Sequence, residues 1–158
     1  MSTVVSLSPA LRIMLERLAD RSEVEALVLA AFGSGRFAKT AERLRERAQI
    51  AAGFVAREDG QMIGSVRLWA ISVGGEPALL LGPIAVSAAS RRAGLGADLV
   101  QACIDHAGTT GILLVGDLPY FGRFGFRPAP DVRLSGPVDQ RRVLWRGAGE
   151  AAGVVLPA

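Results

Sequence analysis

A glycine loop flanked by arginines, Arg91-Arg92-Ala93-Gly94-Leu95-Gly96, sets the strongest limit on how this 158-residue chain folds. The loop lies between an apolar strand pattern, Leu79 to Val86, and a helical pattern, Ala97 to His106. Two glycines one residue apart leave backbone N–H groups open to a ligand that side chains would otherwise block. The helix that follows adds the unpaired N–H groups and the positive dipole end of its first turn. The sequence therefore predicts an anion pocket, most naturally for a pyrophosphate.

Composition predicts one globular domain, because half of the residues are hydrophobic and 21% are charged. No apolar run approaches the roughly 20 residues that a membrane span needs, and no basic segment with an apolar block opens the sequence. We therefore expect a cytoplasmic protein without a membrane partner. A single cysteine, Cys103, and a single histidine, His106, argue against a disulfide framework and against a metal site.

The net charge of +3 does not indicate nucleic-acid binding. Of the eighteen basic residues only Lys39 is not arginine, and the basic residues are scattered among acids. No aromatic residues alternate with a basic stripe, as a groove for single strands would require. We expect the arginines of 43–47 and of Arg141-Arg142 to lie on solvated faces.

The first half of the chain predicts one strand and two helices. Leu11 to Leu18 alternates as a strand does. A stripe of apolar residues then predicts a helix that Asp20 or Ser22 caps and that ends at Gly33. The segment from Phe37 to Ala48 predicts a second, highly charged helix. We expect this helix to be exposed to solvent and to border a substrate cleft.

Three strands joined by tight turns follow these helices. Residues 53–57 and 62–69 flank Asp59-Gly60, which is a strong hairpin signal. A second turn at Gly74-Gly75 leads into Pro77 to Val86, which is nearly all apolar and predicts a strand buried on both faces.

The remaining elements complete a mixed α/β fold. A helix over 94–107 lies between two apolar strands, so the strand over 111–115 is expected to run parallel to the strand that precedes the helix. Asp117 to Phe124 predicts a short capped helix. Weak strand patterns around 132–134 and 142–145 finish the sheet.

Three families of glycine loop differ in the residues that surround their glycines. A triphosphatase loop needs a lysine that does not follow Gly96, and a dinucleotide fingerprint needs glycine where Leu99 stands. The pattern R/Q-x-x-G-x-G/A, after a strand and before a helix, matches at every fixed position of 91–96.

With Leu81 to Ser87, the strand over 111–115 and the segment Tyr120-Phe121-Gly122-Arg123-Phe124-Gly125-Phe126, this loop resembles the GNAT superfamily of acetyl-CoA-dependent N-acetyltransferases. The likeness is strongest to a small bacterial branch with a Tyr-Phe-x-Arg-Phe-Gly-Phe segment. It covers residues 79–127, and it departs from the family at Ala88, where proline is frequent.

The resemblance implies a GNAT-like fold with antiparallel N-terminal strands, a parallel pair of strands splayed at the centre, and flanking helices. It also implies a single acetyltransferase domain over 1–158, which moves acetyl from acetyl-CoA to a primary amine. The pantetheine arm would lie in the splay, which a bulge at Gly82-Pro83 starts.

The resemblance assigns roles to backbone groups in the cofactor site. The N–H of Ile84 would polarise the thioester carbonyl, and the strand edge at Ala85 and Val86 would pair with the amides of the arm. The pyrophosphate would be held by the arginine side chains and by loop and helix amides, that is, by Arg91, Arg92, Ala93, Gly94, Leu95, Gly96 and Ala97.

Proton transfer is assigned less completely. Tyr120, the only tyrosine, is expected to protonate the departing sulfur, and its alternative role is packing with the neighbouring phenylalanines. The general base is Glu76, water or Asp117, although we favour Asp117 as a helix cap. Cys103 and His106 are expected in the core or on the surface rather than in catalysis, and Trp69 either floors the acceptor pocket or belongs to the core.

The acceptor amine stays open among amino acids, polyamines, antibiotics and peptide or protein amines, and acyl groups longer than acetyl are also open. Pairing of two copies through the C-terminal strands is a further hypothesis. The alternative function is a non-catalytic acyl-CoA-binding or interaction module.

Overall fold

The structure is a computed structural model that describes residues 4–6, 11–33, 40–90 and 93–158. Its helices within these ranges are α1 (Arg21–Phe32), α2 (Thr40–Arg47), α3 (Leu95–Ala107) and α4 (Leu118–Phe121). The strands are β1 (Val4–Ser6), β2 (Leu11–Leu15), β3 (Gln49–Glu58), β4 (Gln61–Val73), β5 (Glu76–Val86), β6 (Ile112–Val115), β7 (Arg127–Pro128), β8 (Val132–Arg133), β9 (Val143–Arg146) and β10 (Gly153–Pro157).

The described residues divide into two compact units. The first unit draws on Met1–Gly35, Ala52–Leu68 and Gly82–His106. The second unit draws on Arg36–Ala51, Trp69–Leu81 and Ala107–Ala158. The expected single acetyltransferase domain over the full chain stays a prediction.

In the first unit the strands follow the order β1-β2-β3-β4-β5. β2 pairs antiparallel with both β1 and β3. The β3–β4 turn has φ +51° at Asp59 and +81° at Gly60, as expected for a two-residue hairpin turn of the I′ kind. The helix α1 covers this unit by packing Val24 and Val28 against Val55, Met62 and Ala85.

A buried ion pair crosses the first unit. The Arg67 guanidinium donates to both oxygens of Glu16, Nε to Oε1 at 3.0 Å and Nη2 to Oε2 at 2.9 Å, and Nη1 donates to Glu25 at 2.7 Å. The side chains of Arg67 and Glu16 are 7% and 4% exposed. A Cβ at Gly53 would lie 2.3 Å from Glu16 Oε1, so glycine at this position makes room for the carboxylate.

In the second unit the order is β4-β5-β6-β9-β7, and β10 pairs with both β4 and β8. β5 and β6 are parallel, whereas β6 and β9 are antiparallel. Ile71, Leu80, Leu113, Val143 and Val155 belong to its buried core.

Several predicted elements are confirmed. The helix ending at Gly33, both tight turns, the helix over 94–107 and the parallel strand over 111–115 all form. Local turn and cap chemistry explains these agreements, because Gly33, Gly60, Gly74 and Gly75 all adopt positive φ.

Other expectations are corrected by long-range contacts. The first predicted strand ends at Leu15, and Leu18 lies in a 3-10 turn. β1, β7 and β10 were not predicted. The second helix forms over Thr40–Arg47, and residues 37–39 lie outside the described residues.

The second helix is less exposed to solvent than expected. Glu42 is only 7% exposed, and it pairs at 3.3 Å with Arg45, which is half-buried. Arg43, Glu46 and Arg47 are exposed as predicted, as are Arg141 and Arg142.

Candidate active site

The segment between β5 and the predicted phosphate loop makes two backbone hydrogen bonds. The Ser87 N–H donates to the Ile63 carbonyl at 2.8 Å, and the Ser90 N–H donates to the Ser87 carbonyl at 3.0 Å. Arg91 and Arg92 lie outside the described residues, so their predicted contribution stays a prediction. Gly94 has φ +79°, a left-handed conformation that favours glycine.

The first turn of α3 leaves a set of N–H donors. The Asp98 N–H donates to the Gly94 carbonyl at 3.0 Å and closes the first turn. The N–H groups of Leu95, Gly96 and Ala97 therefore have no acceptor one turn earlier within the helix. The Leu95 side chain is 1% exposed and anchors this end of the helix. The donors are chemically suited to an anion.

The start of α3 lies close to β4 because Gly64 has no side chain. A Cβ at Gly64 would lie 3.1 Å from a Leu99 methyl group and 3.2 Å from a Leu95 methyl group. The glycine thus sets the distance between helix and strand, which the sequence analysis did not anticipate.

The end of β5 is more open than predicted. Ala85 is 1% exposed, but Pro83, Ile84 and Val86 are half-buried, which corrects the expectation of a strand covered on both faces. An apolar strand with half-buried residues has surface that a ligand can cover.

Pairing between β5 and β6 is short. Within the second unit the register joins Leu79 to Ile112 and Leu80 to Leu113. The strand then reaches Gly82, which has φ +130°. The pairing thus stops shortly before Gly82, where the sequence predicts that the two strands begin to separate. The bulge and the splay themselves stay predictions.

Tyr120 lies in the second unit within the predicted aromatic cluster. Its ring centroid is 4.9 Å from that of Phe121 and 5.8 Å from that of Phe124, and Phe121 in turn contacts Phe126 at 6.0 Å. The Arg123 guanidinium lies 4.5 Å from the Tyr120 centroid. The half-buried ring is therefore fixed by packing, and packing is compatible with either predicted role.

The two side chains predicted as candidate general bases, Asp117 and Glu76, are both exposed. Asp117 occupies the N-cap position of α4, as predicted, but its side chain makes no cap hydrogen bond. The turn is closed instead by the Asp117 carbonyl, which accepts from the Phe121 N–H at 2.9 Å. Glu76 begins β5.

The remaining candidates have structural environments. Trp69 packs against the core of the second unit. Cys103 is fully buried, and burial raises the pKa of its thiol to about 12, so the nucleophilic thiolate is absent at neutral pH. His106 is exposed, and its ring packs edge-on to Phe54 at 5.8 Å.

A large open pocket lies in the described part of each unit. The first, about 700 Å³, adjoins the phosphate loop and is lined by Glu58, Asp59, Ile63, Ser87 and Ala93. Its two carboxylates disfavour a phosphate there. The second, about 470 Å³, is formed by α2, the segment after β8, and β10. The second pocket agrees with the expectation that the second helix borders a cleft, whereas the sequence pattern did not predict the first pocket.

Across the described residues, three or more His, Cys, Asp or Glu side chains are nowhere grouped so as to hold a metal ion. None of the described helices has the length and apolar character needed to cross a lipid bilayer.

The fold and the glycine-opened helix start define an acetyltransferase of the GNAT class. The model of the Acetyltransferase (GNAT) family matches residues 16–126, and the chain belongs to that family. GNAT acetyltransferases acetylate amine substrates.

Bacterial relatives agree with this assignment. The chain is 34% identical over 126 residues, 75% of each protein, to a protein of Escherichia coli (strain K12) called "Uncharacterized N-acetyltransferase YhbS". The crystal structure of Escherichia coli YhbS in complex with CoA has a TM-score of 0.79 and 28% identity, over 98% of this chain and 93% of that one. The crystal structure of a GNAT family acetyltransferase from Brucella melitensis in complex with acetyl-CoA has a TM-score of 0.61 and 29% identity, over 87% of this chain and 96% of that one.

Proposed function

We propose that this chain transfers the acetyl group of acetyl-CoA to a primary amine by direct attack. The observation that carries the proposal is the start of α3, where Gly94 at φ +79° precedes the consecutive N–H donors of the first helical turn. The CoA and acetyl-CoA complexes of the two bacterial relatives support the same cofactor.

In this proposal the amides of Ala93 to Ala97 hold the pyrophosphate of the cofactor. The arginines at 91 and 92 add positive charge, as their place in the sequence motif implies. The Ala85 and Val86 backbone pairs with the pantetheine arm. The Ile84 N–H donates to the thioester oxygen, where such a donor contributes about 3–4 kcal/mol as negative charge develops.

The reaction forms a C–N bond and breaks a C–S bond. The neutral amine attacks the thioester carbon, the electron pair of the breaking C–S bond leaves on sulfur, and the Tyr120 hydroxyl supplies the proton that the thiolate takes up. As the amide forms, its nitrogen loses a second proton, which returns through water to the Tyr120 oxygen. The ammonium form of the acceptor loses its proton beforehand to Asp117, to Glu76 or to water. The role of Tyr120 rests on the resemblance of its segment to that of the family.

Replacing Tyr120 by Phe tests the proton transfer, because the ring and its contacts with Phe121 and Phe124 are retained. We expect kcat to fall about 100-fold or more, the usual contribution of a general acid. The KM for acetyl-CoA should stay unchanged. Release of CoA with a panel of primary amines, followed with a thiol reagent from pH 6 to 10, measures both quantities.

A matched control is Phe124→Leu, which removes a ring contact of Tyr120 but leaves the hydroxyl. Equal turnover of wild type and Tyr120→Phe at every pH would exclude the acid role. Saturable binding of acetyl-CoA without amine-dependent CoA release would instead favour the non-catalytic acyl-CoA-binding module.

A further inference from the structure

Arg123 lies directly over the ring of Tyr120, the residue that the proposed mechanism uses as acid. The guanidinium carbon is 4.5 Å from the centroid of the Tyr120 ring, within the roughly 6 Å over which a cation and an aromatic ring attract each other. The same guanidinium lies 5.5 Å from the centroid of the Phe124 ring. One cation therefore contacts two aromatic rings of the same segment.

A hydrogen bond joins this side chain to the backbone of the same tyrosine. The Arg123 Nε donates to the Tyr120 carbonyl oxygen at 3.2 Å, three positions earlier in the chain. A planar guanidinium suits this arrangement, because it can stack on a ring while one of its N–H groups reaches an acceptor. Arg123 thus contacts both the backbone and the ring of one residue, and the two contacts together restrict rotation of the tyrosine side chain.

The backbone that carries both residues is held in the second unit. Tyr120 belongs to α4, and Arg123 lies in the 3-10 turn over Gly122–Phe124 that follows at once. The turn is closed by the Gly125 N–H, which donates to the Gly122 carbonyl at 3.1 Å. From β9, the Arg146 Nε donates to the Phe124 carbonyl at 2.7 Å. Because the backbone is fixed in this way, the freedom that is left to Tyr120 is rotation of its side chain.

The charge of Arg123 forms no ion pair within the part of the chain that the structure describes, although the side chain is exposed. Other arginines differ, because Arg57, Arg67 and Arg141 each pair with a carboxylate. Carboxylates of the described residues therefore do not compete with the two rings for this cation.

We propose that Arg123 is a positioning residue for the proton donor, which holds the Tyr120 ring so that the hydroxyl stays in one place. The inference rests on the proposed acid role of Tyr120 and adds a second residue to it. A general acid acts only within hydrogen-bond reach of the atom that takes its proton, so a ring without a fixed orientation transfers the proton more slowly. Arg123 acts only through Tyr120.

A double-mutant cycle on turnover tests this role with wild type, Arg123→Gln, Tyr120→Phe and the combined variant. We expect Arg123→Gln to lower kcat about three- to fivefold, which corresponds to one cation–π contact at an exposed site. The KM for acetyl-CoA should stay unchanged. In the Tyr120→Phe background the same substitution should leave kcat unchanged, because the phenylalanine ring keeps the contacts but has no proton to give.

Two results of the cycle would overturn the inference. If Arg123 only stabilised the segment, its replacement would lower kcat by the same factor in both backgrounds. An unchanged kcat of Arg123→Gln with Tyr120 present would mean that the ring needs no cation to hold it.

Arg133→Gln is the matched control. Arg133 is also an exposed arginine of the second unit, and its Nη1 donates to the Pro130 carbonyl at 2.6 Å, likewise three positions earlier. Proline has no aromatic ring, so this substitution removes the same kind of backbone contact without removing a cation from a ring. It should leave kcat and KM unchanged, and a loss equal to that of Arg123→Gln would contradict the proposed role.

A measurement that needs no turnover separates this inference from the proposed function. Tyr120 is the only tyrosine of the chain, so protein labelled with 3-fluorotyrosine gives fluorine NMR signals from this ring alone. The signal should have the same position in wild type and Arg133→Gln, and in Arg123→Gln it should move toward its position in urea-unfolded protein. An unmoved signal in Arg123→Gln would overturn the inference even if Tyr120 is the acid. Wild-type turnover by Tyr120→Phe would instead count against the proposed function.

Discussion

Asp20 illustrates how a single side chain takes its role from distant partners. Its carboxylate is 5% exposed and accepts from the Arg17 N–H at 2.9 Å and from the Arg57 guanidinium at 3.0 Å. The sequence predicted a cap for α1, but the helix receives no side-chain cap bond from Asp20. Arg57 lies 37 positions away. Local sequence patterns do not show which residue lies beside Asp20 in the fold. The aspartate could be singled out from the sequence, but its partner Arg57 could not.

The same contacts give Asp20 a pH-dependent effect on stability. Burial alone would raise the pKa of this carboxyl, but the hydrogen bonds from Arg17 and Arg57 outweigh it and lower the pKa. A lowered pKa in the folded state stabilises the protein above the ordinary value of about 3.9. That stabilisation disappears as pH falls through the lower, folded value.

We expect Asp20→Asn to reduce the free energy of unfolding by about 1.5–3 kcal/mol at pH 7, the range for hydrogen bonds to charged groups. The difference from wild type should shrink below pH 4. Urea denaturation at pH 7, 5 and 3 measures it. The control is Asp131→Asn, which changes an exposed aspartate. A difference of the same size at pH 3 and pH 7 would disprove the linkage.

The buried ion pair between Arg67 and Glu16 was likewise not predictable from local sequence patterns. Arg67 and Glu16 are 51 positions apart, and Gly53 leaves the space that their pair needs. None of the three lies in a motif. Their arrangement follows only once β2, β3 and β4 are placed side by side.

At the scale of elements, turn chemistry made the hairpins predictable, whereas short strands depended on their partners. Asp59-Gly60 and Gly74-Gly75 specify their turns within two residues. β7 has two residues and β10 ends in proline, so neither carries a periodic signal. β10 is placed by its pairing with Ile71, Ser72 and Val73 of β4.

The turn at 74–75 offers a test of that pairing. Gly74 and Gly75 have φ +57° and +85°, so alanine strains the backbone at either position. Only at Gly74 would the new Cβ collide with a neighbour, the Ala152 carbonyl oxygen at 2.2 Å. The Gly74 N–H also donates to the Val154 carbonyl at 3.0 Å.

We therefore expect Gly74→Ala to lower the free energy of unfolding by about 1–3 kcal/mol more than Gly75→Ala, the usual range for overpacking. Hydrogen exchange of the β10 amides should accelerate in Gly74→Ala and stay near the wild-type rate in Gly75→Ala. Equal effects of the two substitutions would mean that β10 is not held against this turn.

At the scale of the whole chain, the family and its fold were predictable because one contiguous motif carries the resemblance to the family. The loop at 91–96, the strand before it and the helix after it are adjacent in sequence. The pocket of the second unit was less predictable in detail, since α2, the segment after β8, and β10 contribute to it from distant positions. Only the expectation that the second helix borders a cleft pointed toward it.

Cofactor binding has a consequence for the stability of the entire protein. A ligand at 100 times its Kd adds about 2.7 kcal/mol to the free energy of unfolding. For a domain of this size that is a rise in Tm of roughly 5–10 °C. We expect saturating acetyl-CoA to produce such a rise with wild type in thermal melting.

Gly94→Glu should abolish this rise, because it puts a carboxylate where the phosphates of the cofactor would lie. Gly108→Glu, just beyond the other end of α3, is the matched control. Both glycines have positive φ, +79° and +59°, and neither has a neighbour within 4 Å of a new Cβ, so backbone strain and added charge are alike. Comparing each variant with and without ligand cancels that shared strain. An equal rise in both variants would mean that the pyrophosphate binds away from the start of α3.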